Sequence, residues 1–444
     1  MTSKELTITS VGEDLAAYID SIPTAFHGAR ESAARLEAAG ASRLYEDETW
    51  SLEANRLYYL MRDGSAVIAF STAGLDPGST GVNVTGAHLD SPLLKLKGNQ
   101  LQEANGILTA GIEVYGGPIY ATWLDRDLAL AGRYVISEGE GLTERLFLLK
   151  NLKAMIPNVA IHMNREINKE LKYNPQTEFR ALLFHGADER ETDIRHFIAA
   201  EEGIQAESIL DMECFLVPEE KASVFTGAGA SAIIRSGRID NLAGCHGILQ
   251  GFLASEPEKH RVPGFVCLYN SEEIGSRTRS GAASRFFDQV LERFFIAAGL
   301  SPEQALIARQ KSYQISVDGA HALHPNYADK HDALYRPRLN HGIVLKRSAG
   351  YKYGTDAVVA SRLLSLAHRH QIRVQDMVNR ADVPSGSTIG TISMTLLDIP
   401  TVDIGIGMLA MHSSRETAGI GDQLDMIRLM EAFFMESVPL LNRV

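Results

Sequence analysis

Cysteine is scarce in this chain of 444 residues: only Cys214, Cys245 and Cys267. An odd count with no C-x-x-C spacing excludes a disulfide framework and points to reduced thiols, hence to a cytoplasmic setting. Long apolar runs are also missing. Nothing approaches the ~18–20 apolar residues of a membrane span, and the N-terminal stretch MTSKELTITSVGEDLAAYID has no apolar core of a secretory signal. There is no excess of positive charge either: 43 Lys and Arg stand against 55 Asp and Glu, a formal charge of −12. That balance argues against nucleic acid as a partner, because its binding needs clustered cations. Finally, no H-E-x-x-H, G-x-S-x-G, G-x-x-x-x-G-K-[ST] or strand-linked G-x-G-x-x-G occurs, so the commoner motif-based enzyme classes lose their support.

What is present is ordinary globular material, 45% hydrophobic and 22% charged. At ~100–200 residues per domain, two domains or one elaborated domain are expected. Residues 13–42 read as helical. Leu15, Tyr18 and Ile19 share a face, and after Pro23 a second helix carries Phe26, Ala29, Ala33 and Leu36, with Thr24 as its cap and Gly40 as its stop. Segments 56–60, 65–72 and 81–87 read as strands. From about 91 to 235 the texture turns to short alternating apolar segments such as GRYVISEG, LFLLK and NVAIHM, with one helix at 191–203. From 238 onward, apolar strand-like runs alternate with helices at 284–299, 355–371 and 421–439. The expectation is a mixed-sheet α/β domain formed by 1–90 and 236–444, interrupted by a β-rich, barrel-like insertion at 91–235.

The informative pattern is where His, Asp and Glu fall. GVNVTGA runs into His88-Leu89-Asp90; IIRSGRI leads to Asp240; GFVCLYNS runs into Glu272-Glu273; YQISV ends at Asp318; TVDIGIGMLAM ends at His412. In open α/β sheets, reactive groups gather at the carboxyl ends of strands. Taken singly, each residue has an ordinary reading as a helix cap, a turn or a solvated surface group. Taken together, His88, Asp240, Glu273, Asp318 and His412 supply two imidazoles and three carboxylates, a donor set for a pair of divalent ions. Glu272, beside a ligand, is placed to act as general base, and Asp90 to orient His88 from behind.

At these residues the chain resembles the aspartyl aminopeptidases, cytosolic dizinc exopeptidases. The matching stretches are TGAHLDSPLLKLKG, AIHMNREIN, GRIDNLAG, NSEEIGSRTRSGA, SVDGAHALHPNYADKH, PSGSTIG and MLAMHSSRE, in the family's order from about residue 20 to 436. The resemblance implies one zinc on His88, Asp240 and Asp318 and another on Asp240, Glu273 and His412, with Asp240 bridging. Cobalt or manganese can share such ligands. It implies Glu272 as the base, Asp90 as the partner of His88, and cleavage of one N-terminal residue, Asp or Glu for preference. The acidic side chain would be received by Lys346 and Tyr353. His321 and His324 flank Asp318, and either can donate to a developing oxyanion; we assign His321 to catalysis and His324 to substrate binding, the ordinary alternative being a structural hydrogen bond in a His-Pro turn. The resemblance further implies a tetrahedral dodecamer assembled through the β-rich insertion, with His162 reaching into a neighbouring subunit's site. The ordinary alternative for His162 is a strand histidine half in water. Where the family commonly reads Ala-Thr-Asn after the pocket tyrosine, this chain has Gly354-Thr355-Asp356, and a carboxylate there predicts weaker selection of acidic side chains. Two rivals stay open: a dizinc peptidase for neutral termini or for C-terminal residues, and an inactive shell or binding protein on the same scaffold.

Overall fold

In the computed structural model, which describes residues 5–73, 76–184, 192–226 and 232–436, the chain opens with two helices, Ile8–Ser21 and Ala25–Ala38. Their apolar positions are the expected ones. Leu15, Tyr18 and Ile19 are buried on the first helix, and Phe26, Ala29, Ala33 and Leu36 on the second. Thr24 stands at the cap position but caps nothing with its side chain; its hydroxyl is 2.9 Å from His27 Nδ1.

A nine-stranded sheet forms the centre, in the order Ser42–Arg43, Leu57–Arg62, Ala66–Ser71, Gly264–Tyr269, Asn83–His88, Tyr313–Val317, Thr401–Gly405, Ile343–Arg347, Val374–Val378. Four middle strands, Gly264–Tyr269, Asn83–His88, Tyr313–Val317 and Thr401–Gly405, run parallel. They are buried throughout, as strands covered by helices on both faces must be. Alternation assigns the two faces. Val266 and Leu268 pack with the helices Ile239–Ala254 and Ile420–Met435, while Phe265 and Cys267 pack with Phe286–Ala297.

The strands between Leu93 and Pro218 form a separate eight-stranded antiparallel sheet, running from Gln102–Ala104 at one edge to Ile112–Tyr115 at the other. It has its own core around Tyr134, Phe147, Phe179 and Leu216, to which Phe26 of the second helix contributes. The helix read at 191–203 is Ile194–Glu202. One reading inside this region fails. NVAIHM is no strand: residues 161–163 form an exposed turn, closed by Met163 N–H donating to Ala160 O at 2.8 Å. Its Val, Ile and Met face water rather than a core, so the apolar pattern that suggested a strand has no sheet to join.

A third, five-stranded sheet links the parts: Ser223–Phe225, Ile233–Ser236, Glu416–Gly419, Gly407–Leu409, Ala320–His321. It corrects two readings. TVDIGIGMLAM is not one strand; Thr401–Gly405 belongs to the central sheet and Gly407–Leu409 to the small one. IIRSGRI likewise leaves the small sheet, and Asp240 stands in the first turn of a helix with non-helical φ/ψ of −80° and 107°. Where the two sheets part, Gly405 lies against the Asp318 backbone: a Cβ there would be 1.9 Å from Asp318 O. Since backbone cannot move aside as a flexible side chain does, Gly405→Ala should destabilise the fold by ~1–3 kcal/mol, the scale of overpacking. Gly386, with nothing within 4 Å of its would-be Cβ, supplies the control. Thermal denaturation should show a lowered midpoint for Gly405→Ala and little change for Gly386→Ala.

Candidate metal centre

Three neighbouring parallel strands aim ligand-type residues the same way. His88 ends Asn83–His88; Asp318 follows Tyr313–Val317; Glu272 and Glu273 form a short 3-10 turn after Gly264–Tyr269. The other two come from elements set across the end of the sheet: Asp240 from a helix start and His412 from a turn with a left-handed φ of 67°. Of the five apolar runs, three thus end as strands of the central sheet, and the two that lead to Asp240 and His412 do not.

The side chains converge. Within 4.8 Å of one another lie ligand atoms of His88, Asp240 and Asp318, and likewise of Asp240, Glu273 and His412; His88, Glu272 and Glu273 form a third such set. His88 Nε2 is 3.4 Å from Asp318 Oδ1 and 3.7 Å from Asp240 Oδ1. His412 Nε2 is 3.5 Å from Asp240 Oδ2 and 3.5 Å from Glu273 Oε2. The two oxygens of Asp240 thus face different imidazoles. Each imidazole is held by its other nitrogen, His88 Nδ1 at 3.0 Å from Asp90 O and His412 Nδ1 at 3.1 Å from Gly117 O. A ring whose Nδ1–H is committed to a carbonyl presents Nε2 as a lone pair, the arrangement of a metal ligand.

Asp90 does more than orient His88. Its carboxylate accepts the backbone N–H of Glu272 and of Glu273, both at 3.1 Å, and the Tyr115 hydroxyl at 2.8 Å. Those bonds set the turn that carries both glutamates. Glu416, which sequence reasoning does not single out, plays a matching part. It is buried, accepts Asp240 N–H at 3.0 Å through Oε2 and accepts His412 N–H at 2.7 Å through Oε1. The sequence signals for it are its place four residues after His412 and its position at the end of the matching stretch MLAMHSSRE.

The electrostatics follow from crowding. Burial, and then Asp318, Asp90 and Asp240 against the opposing pull of His88, push Glu272 up to about 7. Burial and Asp240 hold Glu273 well above the carboxylate range. Burial opposes charge on the imidazoles, but Asp318 and Asp90 outweigh it at His88, which lies well above its usual value, and Asp240 and Glu273 outweigh it at His412, which rises to about 10. Asp240 Oδ1 and Glu273 Oε1 are buried with no hydrogen-bond partner. Orphaned carboxylate oxygens are costly. Beside imidazole Nε2 atoms they make the mixed N/O donor set that suits zinc and related divalent ions, so the residues fit a metal.

The remaining expected residues are placed as follows. Lys346 is buried, with Nζ 3.4 Å from Asp318 Oδ2 and 5.5 Å above the centre of the buried Tyr353 ring. Burial works against its charge, but Asp318 outweighs it and raises its pKa. His321 sits on the small sheet beside Lys346, Asp240 and Asp318, its pKa lowered by desolvation and Lys346. His324 sits in its own loop, where Nδ1 accepts Asn326 N–H at 3.1 Å and the ring packs on Tyr327. His162 lies in the exposed turn and joins none of these groups. Asp356 caps the helix Ala357–Arg369, its Oδ1 accepting Val358 N–H at 2.7 Å and Val359 N–H at 2.9 Å.

Comparison with known proteins points the same way. A family model described as Aminopeptidase I zinc metalloprotease (M18) matches residues 18–434. A probable M18 family aminopeptidase 2 of Pseudomonas fluorescens (strain SBW25) is 38% identical over 431 residues, covering 96% of this chain and 98% of its own length. Among solved structures, that of the Ape4 and Nbr1 complex matches with a TM-score of 0.89 and 31% identity, covering 96% of this chain and 86% of the other. The S. cerevisiae mApe1 dodecamer matches with a TM-score of 0.81 and 23% identity over 96% of both chains.

Proposed function

Because the chain belongs to the M18 family of zinc aminopeptidases, we propose that it removes the N-terminal residue of peptides, Asp or Glu for preference, at a centre that holds two zinc ions. The observation that carries the two-ion reading is Asp240, whose two oxygens face two different imidazole-carboxylate sets. His88, Asp240 and Asp318 would hold one ion, and Asp240, Glu273 and His412 the other. Bound there, the pair supplies Lewis acidity toward the scissile carbonyl and acidifies the attacking water. Cobalt or manganese would fit the same donors.

The chain's own residues do the rest. Glu272 is attached to the Asp90-anchored turn and stands outside the two ligand sets assigned above, so it would be free to take the water's proton and return it to the leaving amine. An affinity for protons near neutrality suits both transfers. His321, at the edge of the centre, is placed to donate to the developing oxyanion. Lys346, over Tyr353, is the cation that would receive an acidic side chain, and His324 would bound the pocket from its loop. The β-rich insertion, 91–235, would build a homododecamer like that of the yeast structure, and the exposed turn bearing His162 would complete a neighbour's site. No described helix is long and apolar enough to cross a membrane, and with reduced thiols the reading is a cytoplasmic enzyme.

One observation favours a second reading. The Lys346 ammonium already faces Asp318, and a cation so engaged selects poorly, which would leave a preference for neutral termini. Release rates from Asp-, Glu- and Leu-capped peptides separate the two. With wild type, the first reading expects Asp and Glu to be released faster than Leu. Lys346→Ala should then lose roughly 10- to 150-fold on acidic substrates relative to Leu, from ~1.5–3 kcal/mol for a charge-assisted hydrogen bond. Equal loss on all three removes Lys346 from the pocket.

Two further outcomes test the centre. Glu272→Gln should keep its metal and lose at least ~10²-fold in turnover, the scale of general-base catalysis; near-normal turnover assigns the base elsewhere. Asp240→Ala should lose both ions by metal analysis of the purified protein, since one carboxylate serves each set; full occupancy would refute the bridge.

A further inference from the structure

Two buried carboxylates stand behind the centre, and they divide its backbone between them. Asp90 accepts the N–H groups of Glu272 and Glu273. Glu416 accepts those of Asp240 and His412, one on each oxygen. The second pair deserves a physical account, because Asp240 and His412 lie far apart in sequence and neither ends a strand of the central sheet. The small sheet brings them together. Ile233–Ser236, which leads to Asp240, pairs with Glu416–Gly419, which follows His412, and the register sets Ser236 opposite Glu416. The approach is close: a Cβ on Gly237 would meet Ser414 O at 2.8 Å. At the end of that ladder the backbone N–H groups of Asp240 and His412 both turn inward, and a single side chain meets both.

We infer that Glu416 is a positioning residue that holds the bridging carboxylate of Asp240 and the imidazole of His412 in register for the second of the two ions. The inference rests on the two-ion reading above. Its logic is one of selectivity. His412 and Glu273 serve only the second ion, whereas the first keeps His88 and Asp318, which Glu416 does not touch. Release of the Glu416 clamp therefore loosens two of three ligands on one side and one of three on the other. Both oxygens accept N–H groups, so an amide cannot replace the carboxylate: its NH₂ would face one of the two donors. Residues that orient metal ligands are worth roughly 10- to 100-fold in metal affinity.

The test is zinc titration of chelator-stripped protein against a competing zinc indicator, on wild type, Glu416→Gln and Glu416→Ala. Wild type should take up two ions. Glu416→Gln, which keeps the volume, should weaken one binding step by roughly 10- to 100-fold and leave the other within about threefold, with Glu416→Ala at least as severe where it folds. At limiting zinc, kcat should fall at unchanged KM, and excess zinc should restore it. Stripped wild type and Glu416→Gln should melt at similar temperatures, which sets the effect apart from general loosening of the fold. Two unchanged steps in Glu416→Gln would overturn the inference, and so would equal weakening of both, since loss of a nearby negative charge alone acts on both ions. A wild type that binds only one ion would instead overturn the two-ion reading, and the inference with it.

Discussion

Like-charge repulsion is the constraint around which this centre is built. Asp90, Asp240, Glu272, Glu273, Asp318 and Glu416 are gathered at one end of the central sheet, where at an effective dielectric of 20 two charges 4 Å apart repel by about 4 kcal/mol. A single charged hydrogen bond contributes only ~1.5–3 kcal/mol, so no one contact offsets the crowding. The structure answers with several at once. Asp90 and Glu416 each accept two backbone N–H groups, Asp318 faces Lys346, and two imidazoles stand among the rest. What is left uncompensated, Asp240 Oδ1 and Glu273 Oε1, lies where the assigned ions would bind.

That division explains why two sheets meet here. Parallel strands deliver side chains to one end in register, but their spacing fixes them in a row. A row of His88, Asp318 and the Glu272-Glu273 turn would enclose the assigned ions from one side only. The small sheet crosses that end and lowers Asp240 and His412 from the other side. Its strands come from widely separated stretches, including Ile233–Ser236 just after the antiparallel sheet and Glu416–Gly419 before the last helix. The strands of the antiparallel sheet thus lie in the chain between two of the assigned ligands, His88 and Asp240.

Much of this was legible in the residues, for reasons that differ by element. The helices near the N-terminus were readable because a 3.6-residue apolar period survives intact in Leu15, Tyr18 and Ile19. His88 and Asp318 were readable because a buried parallel strand is an apolar run with an abrupt polar end. Asp240 and His412 were found by the same rule for a different physical reason: each follows an apolar run of the small sheet, and linear sequence does not show which sheet a run joins. Glu416 was hidden because a glutamate after Ser-Ser-Arg looks like any solvated turn; only the fold reveals that it is buried under two backbone amides. NVAIHM misled for the opposite reason, since an apolar period says nothing of whether a partner strand exists within the chain.

The same charge balance bears on specificity. In the chain itself Lys346 compensates Asp318, 3.4 Å away, and lies across the Tyr353 ring. A loop tied down from beneath keeps it there: the buried Asp403 accepts Gly354 N–H at 2.6 Å and the Thr388 hydroxyl at 2.7 Å, joining the Tyr353 segment to the PSGST segment. An ammonium with so little freedom cannot swing between partners. Its availability to a substrate carboxylate depends instead on what else neutralises Asp318. On the proposed assignment Asp318 is a ligand of the first ion, so an ion in that position would take over the compensation that Lys346 otherwise supplies, and the ammonium would become a net positive group beside Tyr353. On that proposal, selection of an acidic terminus would depend on occupancy of the first position.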